Sequence, residues 1–420
     1  MSKSDAQLYC VTGVGFFLDS YDLFIVNLVS PIWEYEYWGG LTPSHKTHYP
    51  PLLRGLVNSS ANIGNIVGQL TFGYLGDIFG RRFVYGNELI VGTVGLIMCI
   101  ALPNGITPAK SKMIWIFCWR IVLGIGIGGD YPMSASIMAE RSHLSRRGQL
   151  LGWIFSNQGW GNLLGCIVTL IILACFARGL GTEGNYGQLD AVWRLQIGLA
   201  LIPSLVTLWP RLTMPEGRKF LETRELSQPR PTSVGSTIST ISKRRTGQTL
   251  STSTEGILSE GYELQADIDA ERAEIEAQAH GRARFNVFWE YIRDWQHFKV
   301  LLGTMSCWFL LDVAFYGVNL NQSVILKEIG FTKGKNEYEK LKRNTIGNLI
   351  IAIAGYVPGY FVTIALVERL GRRWIQIQGF LICALMFAVM AGGYEAIGTG
   401  GKFVCLAIAQ VSGSPRQPLS

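Results

Sequence analysis

The sequence predicts an all-α polytopic membrane protein built from two repeated halves. Three observations carry that prediction. Long apolar segments recur along the chain, paired arginines fill the short loops between them, and an acid followed by a basic turn recurs at nearly the same separation in each half. Of 420 residues, 48% are hydrophobic and 16% charged, where a soluble chain carries about 25% charge. The 12 Trp, 16 Tyr and 49 Gly suit a bundle whose aromatics gather at the bilayer interfaces and whose glycines let helices approach. The net charge of +7 lies in short runs between apolar segments, which is how a positive-inside topology is written and not how a nucleic-acid surface is. The eight cysteines all fall in or beside apolar spans with no metal spacing, so neither a disulfide framework nor a metal site is expected. No cleavable signal peptide is expected, because the start leads straight into a span carrying two aspartates.

The first span, 9–31, holds Asp19 and Asp22 three residues apart and therefore on one helix face, among Phe16, Phe17, Leu23, Phe24 and Ile25. A pair of acids in that setting is expected at a polar cavity inside the bundle. The loop after it carries His45 and His48, which lack companion ligands. The second span, 52–76, is rich in Gly, Asn and Ser, and Gly64, Gly68, Gly73 and Gly76 are expected to mark a close-packing face. It ends in a turn with Asp77, Gly80, Arg81 and Arg82, which is expected in the cytoplasm. The third span, 83–102, carries Glu88.

The fourth span, 113–139, contains the stretch RIVLGIGIGGDYPMSASIMAE at 120–140. Asp130 lies near its middle, where an ionised group costs about 2.5–3.5 kcal/mol at the low end of estimates, so it reads as functional. The formal G-x-G-x-x-G at 124–129 lacks the flanking strand of a dinucleotide site, and packing glycines explain it better. Pro132 is expected to break the helix beside Asp130. The basic loop that follows, with Arg141, Arg146 and Arg147, is expected in the cytoplasm. The fifth span, 149–178, brings Asn157 and Gln158, amides able to donate to an anion or to join helices. The sixth span is 191–210.

Residues 213–296 interrupt the pattern with a Ser/Thr/Arg-rich part followed by a helical stretch; a central cytoplasmic loop, partly disordered and open to kinases, is expected. The seventh span, 298–320, places Trp308, Asp312 and Tyr316 at intervals of four, so one face offers an indole, a carboxyl and a phenol. Spans eight (344–367) and nine (374–392) flank the turn containing Arg372 and Arg373, and the apolar piece 403–411 is too short to cross. The halves echo one another: Phe17-Leu18-Asp19 matches Leu310-Leu311-Asp312, and Gly-Arg-Arg recurs at 80–82 and 371–373. Parallel repeats of six-helix halves are the signature of the major facilitator architecture, with the substrate held between the halves. The domains expected are a six-helix half at 1–212, the central loop at 213–296, an incomplete second half at 297–411 and a tail at 412–420.

The segment Gly128-Gly129-Asp130-Tyr131-Pro132-Met133-Ser134-Ala135-Ser136-Ile137-Met138-Ala139-Glu140 resembles the signature of the phosphate:proton symporter family of the major facilitator superfamily, above all the high-affinity fungal phosphate transporters. The resemblance runs from about 8 to 410 outside the central loop. It implies that phosphate is held by Tyr131, Gln158, Trp308, Asp312 and Tyr316, and that Asp19, Asp22, Glu88 and Asp130 carry protons. The residues agree with those roles: dihydrogen phosphate needs donors, which Trp, Tyr and Gln supply, and one acceptor for its own O–H. A carboxylate beside a bound anion is repelled unless it takes up a proton, which makes Asp312 the expected coupling site. The family has twelve spans where about nine and a fragment are legible here, so the C-terminal half is expected to be incomplete. No lysine lies within the body of any expected span, Lys299 standing at the very start of the seventh, so the cationic part of the site is expected to be missing.

The function implied is proton-coupled import of inorganic phosphate at the plasma membrane, with the N-terminus in the cytoplasm and no cofactor. A sugar or organic-ion carrier of the same superfamily and a non-transporting sensor or regulatory fragment are the alternatives. An enzyme is not expected, because no nucleophile, base and oxyanion donor gather in a soluble part.

Overall fold

The computed structural model describes residues 3–39, 49–79, 81–103, 105, 108–141, 147–180, 186–213, 289–334 and 336–413. His45, His48 and nearly all of the central loop lie outside that set. The chain divides into two compact units, Met1–Pro215 with Thr304–Ser420, and Glu216–Gly303. In the second unit the described residues begin at Trp289, and Tyr291 stacks on His297 with ring centroids 4.3 Å apart.

Every regular element among the described residues is helical. In chain order they are α1 (Lys3–Trp33), α2 (Pro51–Phe79), α3 (Arg81–Ile100), α4 (Ala109–Arg141), α5 (Arg147–Cys175), a single turn α6 (Ala177–Leu180), α7 (Leu189–Gly198) and α8 (Leu201–Leu212). The later helices are α9 (Trp295–Asn319), α10 (Gln322–Glu328), α11 (Glu337–Ile351), α12 (Val357–Leu370), α13 (Arg372–Gly392) and α14 (Thr399–Gly413). Wider π-helical turns extend α1 through Glu34–Trp38 and join α11 to α12 through Ala352–Tyr356.

Among the described residues, seven segments are long and apolar enough to cross a membrane: Thr12–Trp38, Ala109–Ser134, Gly152–Cys175, Leu189–Leu212, Trp295–Asn319, Glu337–Val367 and Arg373–Gly392. Two expected spans are not among them. Helix α2 is long enough at 29 residues but is diluted by Asn, Ser and Gly, and the apolar part of α3, Val84–Ile100, is short. Both are nonetheless packed against α4. The expected sixth span is two helices, α7 and α8, joined at Leu199–Ala200. The two Gly-Arg-Arg turns fall at equivalent places, between α2 and α3 and between α12 and α13, as the repeat requires. The side chains of Asp77, Arg81, Arg82 and Arg372 lie outside the described set, and Arg373 is exposed.

Glycine explains why α4 is the central helix of the first half. A Cβ on Gly64 or Gly68 of α2 would collide with the carbonyls of Ile121 or Ile125, and one on Gly124 or Gly128 of α4 would collide with those of Ala61 or Asn65. The two backbones therefore touch along a reciprocal stripe of small residues, the geometry that associates helices where no hydrophobic force acts between them. This also disposes of the G-x-G-x-x-G at 124–129 as a ligand loop. Gly76 meets Met133, whereas Gly73 faces open space and is not part of the stripe. Gly124→Ala is expected to destabilise the purified protein by about 1–3 kcal/mol, the cost of overpacking. Gly73→Ala should be neutral or slightly stabilising. Melting temperatures in one detergent test the pair, and equal effects at both positions would refute the packing account.

Pro132 does not break α4, contrary to expectation: the helix runs through it to Arg141. Proline removes a single N–H bond and crowds the carbonyl four residues earlier. That residue is Gly128, and α4 is held on either side by α2 and α3. The break lies in α3 instead. Tyr85 and Gly86 leave helical geometry there, with Gly86 at φ 123°, a conformation glycine adopts at no steric cost.

Candidate functional site

Three helices deliver the acids of the first half to one place. Asp19 and Asp22 on α1, Glu88 on α3 and Asp130 on α4 are all buried and all line one cavity. The cavity measures about 20 Å³, room for a water but not for phosphate. The pairing of Asp19 with Asp22 on one inward face is as the spacing predicted.

The cation of this cluster is a residue that sequence reasoning passed over. Arg211, in the last turn of α8, is 1% exposed, and its guanidinium bridges two acids, with Nη2 2.7 Å from Asp130 Oδ2 and Nη1 3.1 Å from Glu88 Oε1. Ser134 Oγ donates to Asp130 Oδ1 at 2.7 Å, and the N–H of Gly86 donates to Glu88 Oε2 at 2.6 Å. The kink in α3 thus points a backbone donor at the carboxylate. The Tyr85 ring covers the guanidinium with its centroid 4.8 Å from Cζ, and a Cβ on Gly15 of α1 would collide with both Arg211 and Asp130. One guanidinium between two carboxylates, with a hydroxyl, a backbone N–H and an aromatic ring around them, is a construction that low dielectric demands, because a buried carboxylate is tolerated only when paired and hydrogen-bonded. A second arginine, Arg120 on α4, is also fully buried, with Nη2 3.4 Å from the carbonyl of Asp22. The membrane part therefore holds two buried arginines beside the acids, which the expectation of a missing lysine at the phosphate site did not consider. Arg211 stands at the very end of an apolar span and Arg120 within one.

The phosphate-binding candidates gather next to this cluster. Gln158 on α5 donates from Nε2 to Tyr131 Oη at 2.7 Å and accepts at Oε1 from Tyr360 Oη at 3.0 Å. Ser20 Oγ donates to the backbone carbonyl of Gln158 at 2.7 Å. Tyr316 on α9 stands within hydrogen-bonding reach of Tyr131 and stacks on Phe24 of α1 with centroids 6.3 Å apart. Asp312 and Trp308 lie one and two turns before Tyr316 and are half-buried, while Phe309, Leu310 and Val313 between them are exposed. The most buried face of α9 is that of Leu311, Phe315 and Asn319, and Trp308, Asp312 and Tyr316 lie along its flank. Tyr360, from α12, is the member of this group that sequence reasoning did not name. Among the described residues Asn157 hydrogen-bonds within its own helix, to the carbonyls of Trp153 and Ile154 at 3.1 Å each, while its amide packs against Gly13 of α1; Gln158 is the amide that bonds to side chains of other helices.

Toward the other end of α1 the halves are joined by buried amides. Asn27 Nδ2 donates to Asn348 Oδ1 at 2.9 Å, its Oδ1 accepts from the N–H of Ser323 at 2.9 Å, and its carbonyl accepts from Ser323 Oγ at 2.7 Å. Asn344 Nδ2 donates to Ser323 Oγ at 2.9 Å, and Asn58 Nδ2 donates to the Leu320 carbonyl at 3.1 Å. Glu34 completes this end by pairing with both Arg54 and Lys327. Asn27→Ala leaves a backbone N–H and an amide unsatisfied in the interior. It should lower stability by about 1–3 kcal/mol in a detergent melting experiment, and an unchanged midpoint would contradict the bonding described.

Repeated halves of membrane-spanning helices, with hydrogen-bonding and ionisable side chains buried between them, define a multi-pass membrane transporter, not an enzyme. The family model described as sugar (and other) transporter matches residues 8–411, and the chain belongs to that family. It is 53% identical over 419 residues to a Schizosaccharomyces pombe protein named "Putative inorganic phosphate transporter C8E4.01c", covering 98% of this chain and 73% of the relative. It is 35% identical over 413 residues to the inorganic phosphate transporter PHO84 of Saccharomyces cerevisiae, covering 95% of this chain and 66% of that protein. Among solved structures, the partially occluded, inward-open xylose transporter XylE of E. coli superposes with a TM-score of 0.65 at 17% identity, over 98% of this chain and 85% of that one. At that identity the likeness establishes the major facilitator fold and nothing about substrate.

Proposed function

We propose that this protein imports inorganic phosphate together with protons across the plasma membrane, with its N-terminus in the cytoplasm. The observation that carries the reading is the hydrogen-bonded group of Tyr131, Gln158 and Tyr360 beside a water-sized cavity lined by four acids. The names of the relatives supply the substrate. Phenol and amide donors bind a tetrahedral oxyanion, and Asp312 on the same face accepts its remaining O–H. The cavity is too narrow for phosphate and wide enough for water, which suits proton movement among Asp19, Asp22, Glu88 and Asp130. In this reading the two solutes travel by adjoining routes and meet at Tyr131, the residue next to Asp130.

The orientation follows from the paired arginines in the turns between α2 and α3 and between α12 and α13, which belong in the cytoplasm. That places Asn27, Ser323 and Asn348 toward the outside, so the conformation described is closed there. Kinases acting on the central loop are a natural means of regulation, given its Ser/Thr-rich sequence. Uptake of radiolabelled phosphate by cells lacking their own phosphate transporters tests the function. Accumulation that a proton ionophore abolishes is expected. Uptake of labelled xylose and not phosphate would overturn the substrate assignment, and phosphate uptake indifferent to the ionophore would overturn the coupling.

A further inference from the structure

We infer that Tyr360 is a positioning residue for the substrate site: its hydroxyl, brought in from the second half, anchors the Gln158 side chain where it meets Tyr131. The inference rests on the phosphate reading above and specifies how one donor of that site is held. A primary amide is nearly symmetric in shape but opposite in polarity at its two ends, and rotation by half a turn exchanges a double donor for an acceptor. For an anion the difference is between attraction and repulsion. The side chain must therefore be held where it can offer its N–H.

Tyr360 is the group placed to do so. Its Oη donates to Gln158 Oε1 at 3.0 Å, while Gln158 Nε2 donates to Tyr131 Oη at 2.7 Å. The ring is 2% exposed and packs in the apolar cluster of Phe16, Ile154 and Phe155. A Cβ on Gly159 would lie 3.2 Å from it, so the missing side chain next to Gln158 is what lets the ring approach. With the ring held by packing, the hydroxyl oxygen is fixed in place beside the amide. Gln158 is tied down at its backbone as well, where the carbonyl accepts from Ser20 Oγ. Tyr360 comes from α12 and Gln158 from α5, so the donor is aligned only where the two halves meet. A conformational change that separates α12 from α5 would release the amide, so the side chain is held in place only while these helices are packed.

Tyr360→Phe deletes the hydroxyl and keeps the packing. In cells it should raise KM for phosphate about five- to tenfold, the equivalent of about one net hydrogen bond, with little change in maximal rate. In a Gln158→Ala background the same substitution should have no further effect on KM. An unchanged KM in Tyr360→Phe, or an equal increase in the presence and absence of Gln158, would overturn the inference. A melting-temperature cycle over the same four proteins in detergent needs no transport, and strictly additive shifts there would show that the two side chains are not coupled. If the unsubstituted protein takes up no phosphate but the melting cycle is non-additive, the substrate reading fails while the Tyr360–Gln158 contact stands.

Discussion

Replacing Arg211 by alanine is expected to cost about 3–5 kcal/mol of stability and to abolish transport. That is the penalty for removing one partner of a buried ion pair and leaving its counter-charge without compensation. Here two carboxylates, Asp130 and Glu88, lose the same guanidinium, both 2% exposed or less. Arg211→Lys should recover only part of the loss, because an ammonium is a point charge and cannot span both acids as the planar fork does. The diagnostic variant is the triple Arg211→Ala, Asp130→Asn, Glu88→Gln. It removes the charges together and should regain most of the stability without regaining proton-driven uptake. Melting in detergent and uptake in cells report the two quantities separately. If Arg211→Ala melted with the unsubstituted protein, the ion-pair cluster would not be holding α3, α4 and α8 together.

Asp312→Asn is expected to remove accumulation of phosphate against its gradient. The amide remains a hydrogen-bonding group of almost the same shape but can neither carry charge in the empty site nor lose it when an anion arrives. Binding and release would then proceed without a proton, and phosphate would only equilibrate across the membrane. Uptake should become insensitive to external pH and to ionophore, with a loss of concentrative transport of about tenfold or more, as each 1.4 kcal/mol of lost coupling is a factor of ten. Full proton-driven accumulation in this variant would remove Asp312 from the coupling role and leave the acids around Arg211 as the only candidates.

Much of the fold was legible in the chain because a bilayer simplifies the problem. Apolar length, the loop arginines and the recurrence of Leu-Asp and Gly-Arg-Arg at matched separations named the helices and the repeat without reference to packing. The glycines at 64, 68, 124 and 128 announced a contact, since small residues on an apolar helix have few other uses. The inward face of α1 was readable for a similar reason: acids three residues apart on an apolar helix can face only the interior.

What the sequence did not contain was the identity of the partners. Arg211 and Asp130 are 81 residues apart and Tyr360 and Gln158 are 202 apart, and no local pattern links either pair. Nor did it contain the course of α4 through Pro132 and the kink at Gly86, because a proline's effect depends on the helices packed around it. By itself the sequence determined a two-repeat membrane transporter and the faces that carry its polar residues, since period, length and charge are local properties. Only the tertiary structure decided which cation neutralises which acid and which phenol anchors the amide, because in low dielectric each charge and each polar hydrogen must find a partner wherever the fold supplies one.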